Sequence, residues 1–287
     1  MDTEQGLRRY RDAASWPAEE ALGAMLDNQF GAFAAVRSAL PALAAATAAA
    51  ADRLRDRGRL IYCGAGASGR LAVQDGVELL PTFGWPAGRL DYWIAGGTAA
   101  LTRSAEGAED DEAAGAEMAR DVTAADVLIA VAASGTTPYV LAAQAAARTA
   151  GALTVALANN AGAPLLAGAA HPVLLQTGPE FLAGSTRMTA GTAQKMALNL
   201  FSTQLMSALG RVYRGMMVDM VPRNTKLVAR AHRMVAQIAD VPIERAAAAW
   251  EAAGSVKLAV LMLDGADRPA AEAALAAAGG RLDRARG

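Results

Sequence analysis

The chain has 287 residues, of which 53% are hydrophobic, 5% aromatic and 19% charged, with a formal net charge of −1. This length and composition suit a helix-rich globular protein with a sizeable core and exclude a disordered chain. The balanced charge gives no global electrostatic reason to bind nucleic acid or an anionic membrane. Cys63 is the only cysteine, which excludes intrachain disulfides and cysteine-cluster metal sites and is compatible with a reducing compartment.

The first 57 residues are predicted to be helical. Leu22, Met25 and Leu26 recur at helical spacing after Pro17, and an alanine-rich stretch follows. The apolar run 39–51 is too short and too weakly hydrophobic to cross a bilayer, and we find no basic stretch followed by an apolar one at the start. We therefore expect two helices over residues 17–57, in a soluble cytoplasmic protein.

Short apolar runs then alternate with helical segments. The runs lie at residues 59–63, 90–94, 127–132, 153–158 and 173–175. Helix formers bounded by glycine or small polar residues separate the first four from one another, which is typical of parallel strands joined by crossover helices. The sequence therefore predicts a doubly wound, mainly parallel five-stranded α/β sheet with ligands near the carboxyl ends of its strands.

The last third of the chain is predicted to be helical. Residues 191–235 carry apolar residues at intervals suited to a buried stripe, with one break at Pro222. Three short alanine-rich helices are expected at about 243–253, 255–264 and 268–278, which would form a small bundle. We predict three parts, namely an N-terminal helical segment 1–57, a central α/β domain 58–235 and a C-terminal helical bundle 236–287.

A glycine-rich loop follows the first predicted strand. Residues 64–70 read GAGASGR and precede a helix that opens at about Leu71. Glycines let the backbone approach an anion, and the unpaired N–H groups at a helix start favour phosphate. The pattern also suits a dinucleotide, but the second strand ends in WIAGG, without the acidic partner that a ribose would need.

Two further polar segments are candidates for the same site. Residues 133–138 read ASGTTP after the third strand, and taken alone they are equally well explained as a helix cap. Because loops after two parallel strands of one sheet converge on one crevice, we favour a shared phosphate site. Residues 178–195 read GPEFLAGSTRMTAGTAQK. Their hydroxyl groups, beside Arg187 and Lys195, would be costly to bury without hydrogen-bond partners, so we favour a ligand wall over a helix cap. Glu180 is a candidate site carboxylate.

At these residues the sequence resembles the sugar isomerase domain family and, more narrowly, the N-acetylmuramic acid 6-phosphate etherases. The matching stretches are 58–71, 94–97, 105–111, 132–135, 184–188, 194–195 and 217–219. Several ordered matches over most of residues 58–226 are more specific than any single loop. The resemblance implies a homodimeric lyase, without metal or cofactor, that removes the D-lactyl ether from N-acetylmuramic acid 6-phosphate in cell-wall sugar recycling, giving N-acetylglucosamine 6-phosphate and D-lactate.

The resemblance also implies the acid and base of the reaction. Elimination of an ether β to an aldehyde needs both, and by resemblance Glu78 protonates the lactate oxygen while Glu106 takes the proton from carbon 2. The residues expected to bind the sugar 6-phosphate are Gly66, Ala67, Ser68, Gly69, Ser134, Gly135, Thr136, Thr137, Glu180, Ser185, Thr186, Arg187 and Lys195. The site is expected near the subunit interface of the dimer.

Glu78 lies ten residues beyond Ser68, about 15 Å along a continuous helix. We therefore expect either that it follows a helix break or that it serves the neighbouring subunit's site. The cluster Glu109, Asp110 and Asp111 is interpreted as a solvated acidic helix face.

Three positions depart from the family pattern beside the site. Thr136 stands where arginine is usual, Leu79-Leu80 where a cysteine and a proline are common, and Gly76-Val77 where the family has a small Ala-Ser pair. These departures bear on substrate preference more than on the fold.

Two other functions remain open on the sequence. A sugar-phosphate aldose-ketose isomerase would share the phosphate loops, although such enzymes commonly use a histidine and this chain has only His171 and His232, which we interpret as structural. A non-catalytic sugar-phosphate sensor would also share the loops, as in a distant relative that regulates a hexose kinase. The two histidines do not have the spacing of a metal-ligand pair, and the N-terminal residues do not indicate a DNA-binding helix-turn-helix.

Overall fold

The computed structural model describes residues 1–103 and 105–287. Its strands are β1 (Leu60–Gly64), β2 (Leu90–Ile94), β3 (Val127–Val131), β4 (Leu153–Ala158) and β5 (His171–Leu174). Its α-helices are α1 (Ala18–Leu54), α2 (Gly66–Val77), α3 (Leu79–Phe83), α4 (Glu112–Glu117), α5 (Pro138–Thr149), α6 (Pro164–Ala167), α7 (Thr189–Ala208), α8 (Thr225–Ala239), α9 (Ile243–Ala253), α10 (Val256–Leu263), α11 (Arg268–Ala277) and α12 (Leu282–Ala285).

The five strands form one parallel sheet in the order β2-β1-β3-β4-β5. β1 and β3 are buried along their whole length, which explains why their sequences are continuous apolar runs. The chain crosses from β1 to one side of the sheet for β2 and to the other for β3, so the carboxyl ends of β1 and β3 lie at the topological switch point. The predicted α/β fold is confirmed, and β2 and β4 have the predicted bounds.

Helices cover both faces of this sheet. On one face, Ile61, Leu128 and Ala130 share a core cluster with residues of α5 and α6 and with Ala119 and Val122, which follow α4. On the opposite face, α1 contacts β3, β4 and β5, and Asp75 of α2 accepts a hydrogen bond from Tyr62 of β1. The sheet is therefore sandwiched between two helical layers.

α1 is one helix of 37 residues, about 55 Å long, where two helices were predicted. Pro41 lies inside it without ending it, and the alanine-rich second half has high helix propensity and buries small side chains. By length and composition alone, α1 could cross a membrane. The apolar run at residues 39–51 did not indicate this, because it is only part of the helix. One side of α1 packs on the sheet, so this helix contributes to the core of the α/β fold.

The described chain divides into two compact units. The first comprises Met1–Gly76 and Gly88–Ser202, and the second comprises Val77–Ala87 and Thr203–Gly287. These limits differ from the predicted boundaries at residues 57 and 235. Whether the three predicted parts are domains stays a prediction.

The second unit contains the C-terminal helices. α9, α10 and α11 match the three predicted short helices, and α8 to α12 surround an apolar core that includes Val235 and Val260. The helix predicted over residues 191–235 is interrupted earlier, and over a longer stretch, than the single break expected at Pro222. α7 ends at Ala208, before Gly210 with φ 76°, and residues 209–224 separate it from α8, so that Pro222 lies within the connection.

Asp126 joins the beginnings of β1 and β3. Its carboxylate, in a residue only 2% exposed, accepts hydrogen bonds from the backbone N–H groups of Arg59 (2.7 Å) and Thr123 (2.9 Å) and from Nη2 of Arg59 (3.2 Å). Burial opposes ionisation, but these donors outweigh it and lower the pKa of Asp126 below its usual value. The ionised carboxylate therefore stabilises this edge of the sheet.

We expect Asp126→Asn to lower the free energy of unfolding by about 2 kcal/mol at neutral pH, because hydrogen bonds to a charged group contribute roughly 1.5–3 kcal/mol. The folded pKa lies below the unfolded value of about 4, so this contribution is present above the unfolded pKa and is lost as the pH falls through the folded pKa. Urea unfolding of both proteins at several pH values from about 3 to 7 measures the difference. A gap that stays constant on acidification would contradict this assignment, and the exposed Asp110→Asn serves as the control.

Candidate functional site

The first predicted phosphate loop is the turn from β1 into α2. The helix begins at Gly66, five residues earlier than predicted, so residues 66–69 form its first turn and Ser68 is only 8% exposed. A Cβ atom on Gly64 would lie 2.7 Å from the Cα of Gly69, so the strand and helix approach too closely for any larger residue. The first N–H groups of a helix, here from Gly66, Ala67 and Ser68, lack intrahelical partners and suit an anion.

The second loop follows β3 and leads into α5. Ser134 Oγ accepts a hydrogen bond from the Thr136 N–H at 3.2 Å, and Gly135 has φ 68°. Thr137 occupies the N-cap position, but its side chain makes no capping bond to the described residues. The helix-cap interpretation therefore does not account for the hydroxyls of Thr136 and Thr137 at this helix start.

The two loops lie side by side at one edge of the sheet. β1 and β3 are neighbouring parallel strands, and their last residues, Gly64 and Val131, are paired in register. The segments that carry Ser68 and Ser134 therefore leave adjacent strand ends in the same direction. The loops therefore start at adjacent strand ends, as expected, and their shared phosphate site stays a prediction.

The segment that carries Glu106 is held at this same edge. Arg70, at the end of the first loop, donates from Nε to the carbonyl of Ala100 (3.0 Å) and from Nη2 to that of Arg103 (3.1 Å). A Cβ atom on Gly66 would lie 2.8 Å from Oε1 of Glu109, so this segment also touches the first loop. Glu106 itself is exposed.

The acidic cluster after Glu106 has separate roles where one solvated helix face was predicted. Glu109 lies against the first loop, whereas Asp111 is the N-cap of α4, with its Oδ1 accepting a hydrogen bond from the Ala114 N–H at 2.8 Å. All three residues are exposed, as predicted, but they do not form one helix face.

Glu180 caps α7. Its side chain is fully buried, and its two oxygens accept hydrogen bonds from the N–H groups of Thr189 (2.9 Å) and Ala190 (2.8 Å). This carboxylate therefore caps the start of α7, as the helix-cap alternative predicted. Both of its oxygens bind the helix, so the expected contact between Glu180 and the substrate is corrected. It positions the helix that follows the third polar segment.

The third polar segment folds back onto the start of α7. The carbonyl of Thr186 accepts a hydrogen bond from the Gly191 N–H at 2.8 Å, and that of Ser185 accepts one from the Met188 N–H at 3.1 Å. Arg187 is exposed. These bonds leave the side chains of residues 185–187 outside the core, as a ligand wall requires.

A buried polar network leads inward from Lys195. Lys195 Nζ donates to Asn199 Oδ1 (2.8 Å), and Asn199 Nδ2 donates to Oδ1 of the buried Asp75 (2.5 Å). Asp75 also accepts hydrogen bonds from Tyr62 (2.8 Å) and Ser202 (3.2 Å). The network joins α2 to α7, and the sequence did not indicate it because an aspartate within a helix is usually a surface residue.

Two tyrosines and a glycine surround Asp75. Burial, with the charge of Asp75 as a second cause, raises the pKa of Tyr62 and raises that of Tyr92 to about 12. Their rings are stacked with centroids 6.2 Å apart, and a Cβ atom on Gly76 would lie 2.6 Å from the Tyr92 ring. This contact leaves no room for a side chain at position 76.

Glu78 lies in the second unit, between the end of α2 at Val77 and the start of α3 at Leu79. Pro81 explains the interruption, because proline cannot donate to the carbonyl four residues earlier and its ring clashes with it. The predicted helix break is thus confirmed. Glu78 is exposed, and its acid role and the subunit that it serves stay predictions.

The histidines lie in structural surroundings. His232 packs edge-on against Trp250 at 5.2 Å between centroids and lies 3.7 Å from Glu251, all within the second unit. His171 begins β5. Within residues 1–103 and 105–287, no three or more His, Cys, Asp or Glu side chains are grouped to hold a metal ion.

Two domain-family models match parts of the chain. The family model described as "Glucokinase regulatory protein N-terminal SIS domain" matches residues 42–148, and that described as "SIS domain" matches residues 101–204. Among solved structures, a phosphoheptose isomerase from Francisella tularensis is 18% identical with a TM-score of 0.49, covering 69% of this chain and 100% of that one.

Curated relatives are much more similar. An N-acetylmuramic acid 6-phosphate etherase from Deinococcus radiodurans is 53% identical over 91% of this chain and 87% of its own length. Etherases of the same name from Streptomyces avermitilis and an Enterobacter species are each 47% identical, over 87% and 86% of this chain and 81% and 85% of their own lengths. The identity therefore extends through both compact units, and the chain belongs to the N-acetylmuramic acid 6-phosphate etherase family.

Proposed function

We propose that this protein is a carbon–oxygen lyase that cleaves the D-lactyl ether of N-acetylmuramic acid 6-phosphate, giving N-acetylglucosamine 6-phosphate and D-lactate. The observation that carries the proposal is 47–53% identity to etherases of this name over 86–91% of the chain. The reaction serves the recycling of cell-wall sugars, and a cytoplasmic location is part of this proposal.

The substrate phosphate is held by the first two loops. The start of α2 offers N–H groups that lack intrahelical partners, and the loop before α5 offers hydroxyls without charge. With a chain net charge of −1, the anion must be bound by such local donors rather than by a broad basic surface. Ser185, Thr186, Arg187 and Lys195 then form a polar wall for the rest of the sugar.

The chemistry is an elimination followed by addition of water. In the open-chain sugar, Glu106 removes the proton from carbon 2, the electron pair left behind forms a double bond between carbons 2 and 3, and the ether bond at carbon 3 breaks with its pair going to the lactate oxygen. Glu78 gives a proton to the departing lactate oxygen. Water then adds its hydroxyl at carbon 3 and a proton at carbon 2, which restores the saturated sugar. The two carboxyl groups therefore need opposite protonation states at the start of the cycle.

Two observations favour this proposal over a non-catalytic sensor. The family model drawn from a glucokinase regulator covers residues 42–148, whereas the etherases match over most of the chain. A non-catalytic sensor also has no need of the paired acid and base, and both Glu78 and Glu106 are present and exposed.

We expect Glu106→Gln to lower kcat by about 10²- to 10⁴-fold with a small change in KM, because amide replaces the general base without changing its shape. The rate of D-lactate release from N-acetylmuramic acid 6-phosphate measures kcat and KM. An aldose-ketose isomerase would release no D-lactate in this assay. The matched control is Glu112→Gln, an exposed glutamate in the first turn of α4, which should leave kcat unchanged. If Glu106→Gln retains wild-type kcat, Glu106 is not the base.

We further propose that the enzyme is a homodimer that uses the outer face of α1. This face carries a row of large apolar side chains, each 46–64% exposed, at helical spacing: Leu22, Leu26, Phe30, Phe33 and Leu40. Exposed apolar patches of this extent mark interaction surfaces, and the same helix buries its other side on the sheet. A second copy of the chain offers the same self-complementary row.

We expect the double variant Phe30→Glu, Phe33→Glu to be monomeric, because charges in an apolar interface stay unpaired and poorly solvated. Light scattering coupled to size-exclusion chromatography measures the mass. Met118→Glu, at an exposed methionine after α4, is the control and should remain dimeric. A dimeric double variant would rule out this face. Loss of activity in a folded monomer would support a site that needs both subunits.

A further inference from the structure

The N-terminal turn Asp2–Glu4 is docked at the carboxyl-end edge of the sheet. Thr3 is 0% exposed and bonds to Asn160, which comes shortly after β4. The Thr3 N–H donates to Asn160 Oδ1 (3.3 Å), and Asn160 Nδ2 donates to the Thr3 hydroxyl oxygen (3.0 Å). The full burial of Thr3 together with these hydrogen bonds indicates a specific contact.

Asn160 connects Thr3 to the second phosphate loop. Its Nδ2 also donates to the carbonyl of Ala133 at 2.9 Å, and Ala133 directly precedes Ser134. The same carbonyl accepts a hydrogen bond from the Asn159 N–H at 3.0 Å. The side-chain amide of Asn160 therefore shares its two hydrogens between the N-terminal turn and the base of this loop.

Thr3 also reaches the third polar segment. Its carbonyl accepts a hydrogen bond from the Gly184 N–H at 3.0 Å, immediately before Ser185. A Cβ atom on Gly184 would lie 2.9 Å from Oε2 of Glu4, so the turn packs closely on this segment. Gly184 has φ 73°, a conformation that glycine adopts without strain.

We propose that Thr3 is a positioning residue of the phosphosugar site, which fixes the spacing between the Ser134 loop and the Ser185 segment, with the turn Asp2–Glu4 as part of the site wall. This inference rests on the proposed function, because the spacing matters only if both segments contact one sugar 6-phosphate. Because Thr3 holds both segments in place before the substrate arrives, their hydrogen-bond donors bind the sugar phosphate without losing conformational entropy. Without the Thr3 contacts, substrate binding must supply the free energy that orders the two segments.

The test compares Thr3→Val, which keeps the shape and removes the hydroxyl, with Thr3→Ser, which keeps the hydroxyl. We expect Thr3→Val to raise KM for N-acetylmuramic acid 6-phosphate by about 3- to 10-fold, the range for one neutral hydrogen bond, with kcat within about twofold. Thr3→Ser should restore KM. The matched control is Thr47→Val, at a buried threonine of α1 whose hydroxyl bonds only locally to the Leu43 carbonyl at 2.8 Å, and it should leave KM unchanged.

A second measurement does not depend on catalysis. Calorimetry with N-acetylglucosamine 6-phosphate should show weaker binding to Thr3→Val, and a loss of more than about 10-fold for a variant lacking residues 2–6, which removes the backbone contacts as well. Variants that melt earlier but keep wild-type KM and product affinity well below their melting temperature would overturn the inference. If wild type binds the sugar phosphate but releases no D-lactate, the lyase proposal fails and calorimetry still decides the role of Thr3. If wild type binds no sugar phosphate, both proposals fail.

Discussion

The site depends on the close approach of the end of β1 to the first turn of α2. Gly64 and Gly69 are nearly in backbone contact, and this contact brings the helix start directly over the strand end. Because β1 and β3 are neighbours, the same contact sets the distance from the first loop to the Ser134 loop. Arg70 then fixes the segment before Glu106 to this turn. Other parts of the site are arranged around one tight backbone turn.

The sequence was sufficient to predict the sheet because strands buried on both faces have continuous apolar sequences. The loops after β1 and β3 were predictable because they follow two such runs, and loops after parallel strands of one sheet converge at one edge. Glu78 and Glu106 were identified only through the family resemblance, because a glutamate on a helix or in a turn looks like any surface residue.

The features that the sequence did not predict depend on tertiary contacts. Glu180 has the sequence context of a site residue, and only its two bonds to the start of α7 identify it as a cap. Asp75 has no motif of its own, since its partners Tyr62 and Asn199 come from a strand and a distant helix. The uninterrupted α1 likewise depends on the sheet beneath it, which stabilises a helix that Pro41 would otherwise weaken.

The buried position of Thr3 has a practical consequence for recombinant work. An affinity tag fused ahead of Met1 would be joined two residues before Thr3. The side chain of Thr3 is fully buried beside the Ser134 and Ser185 segments. Bulky sequence at that end competes for the space at the rim of the crevice. A tag placed after the exposed Gly287 leaves the chain ahead of Thr3 unchanged.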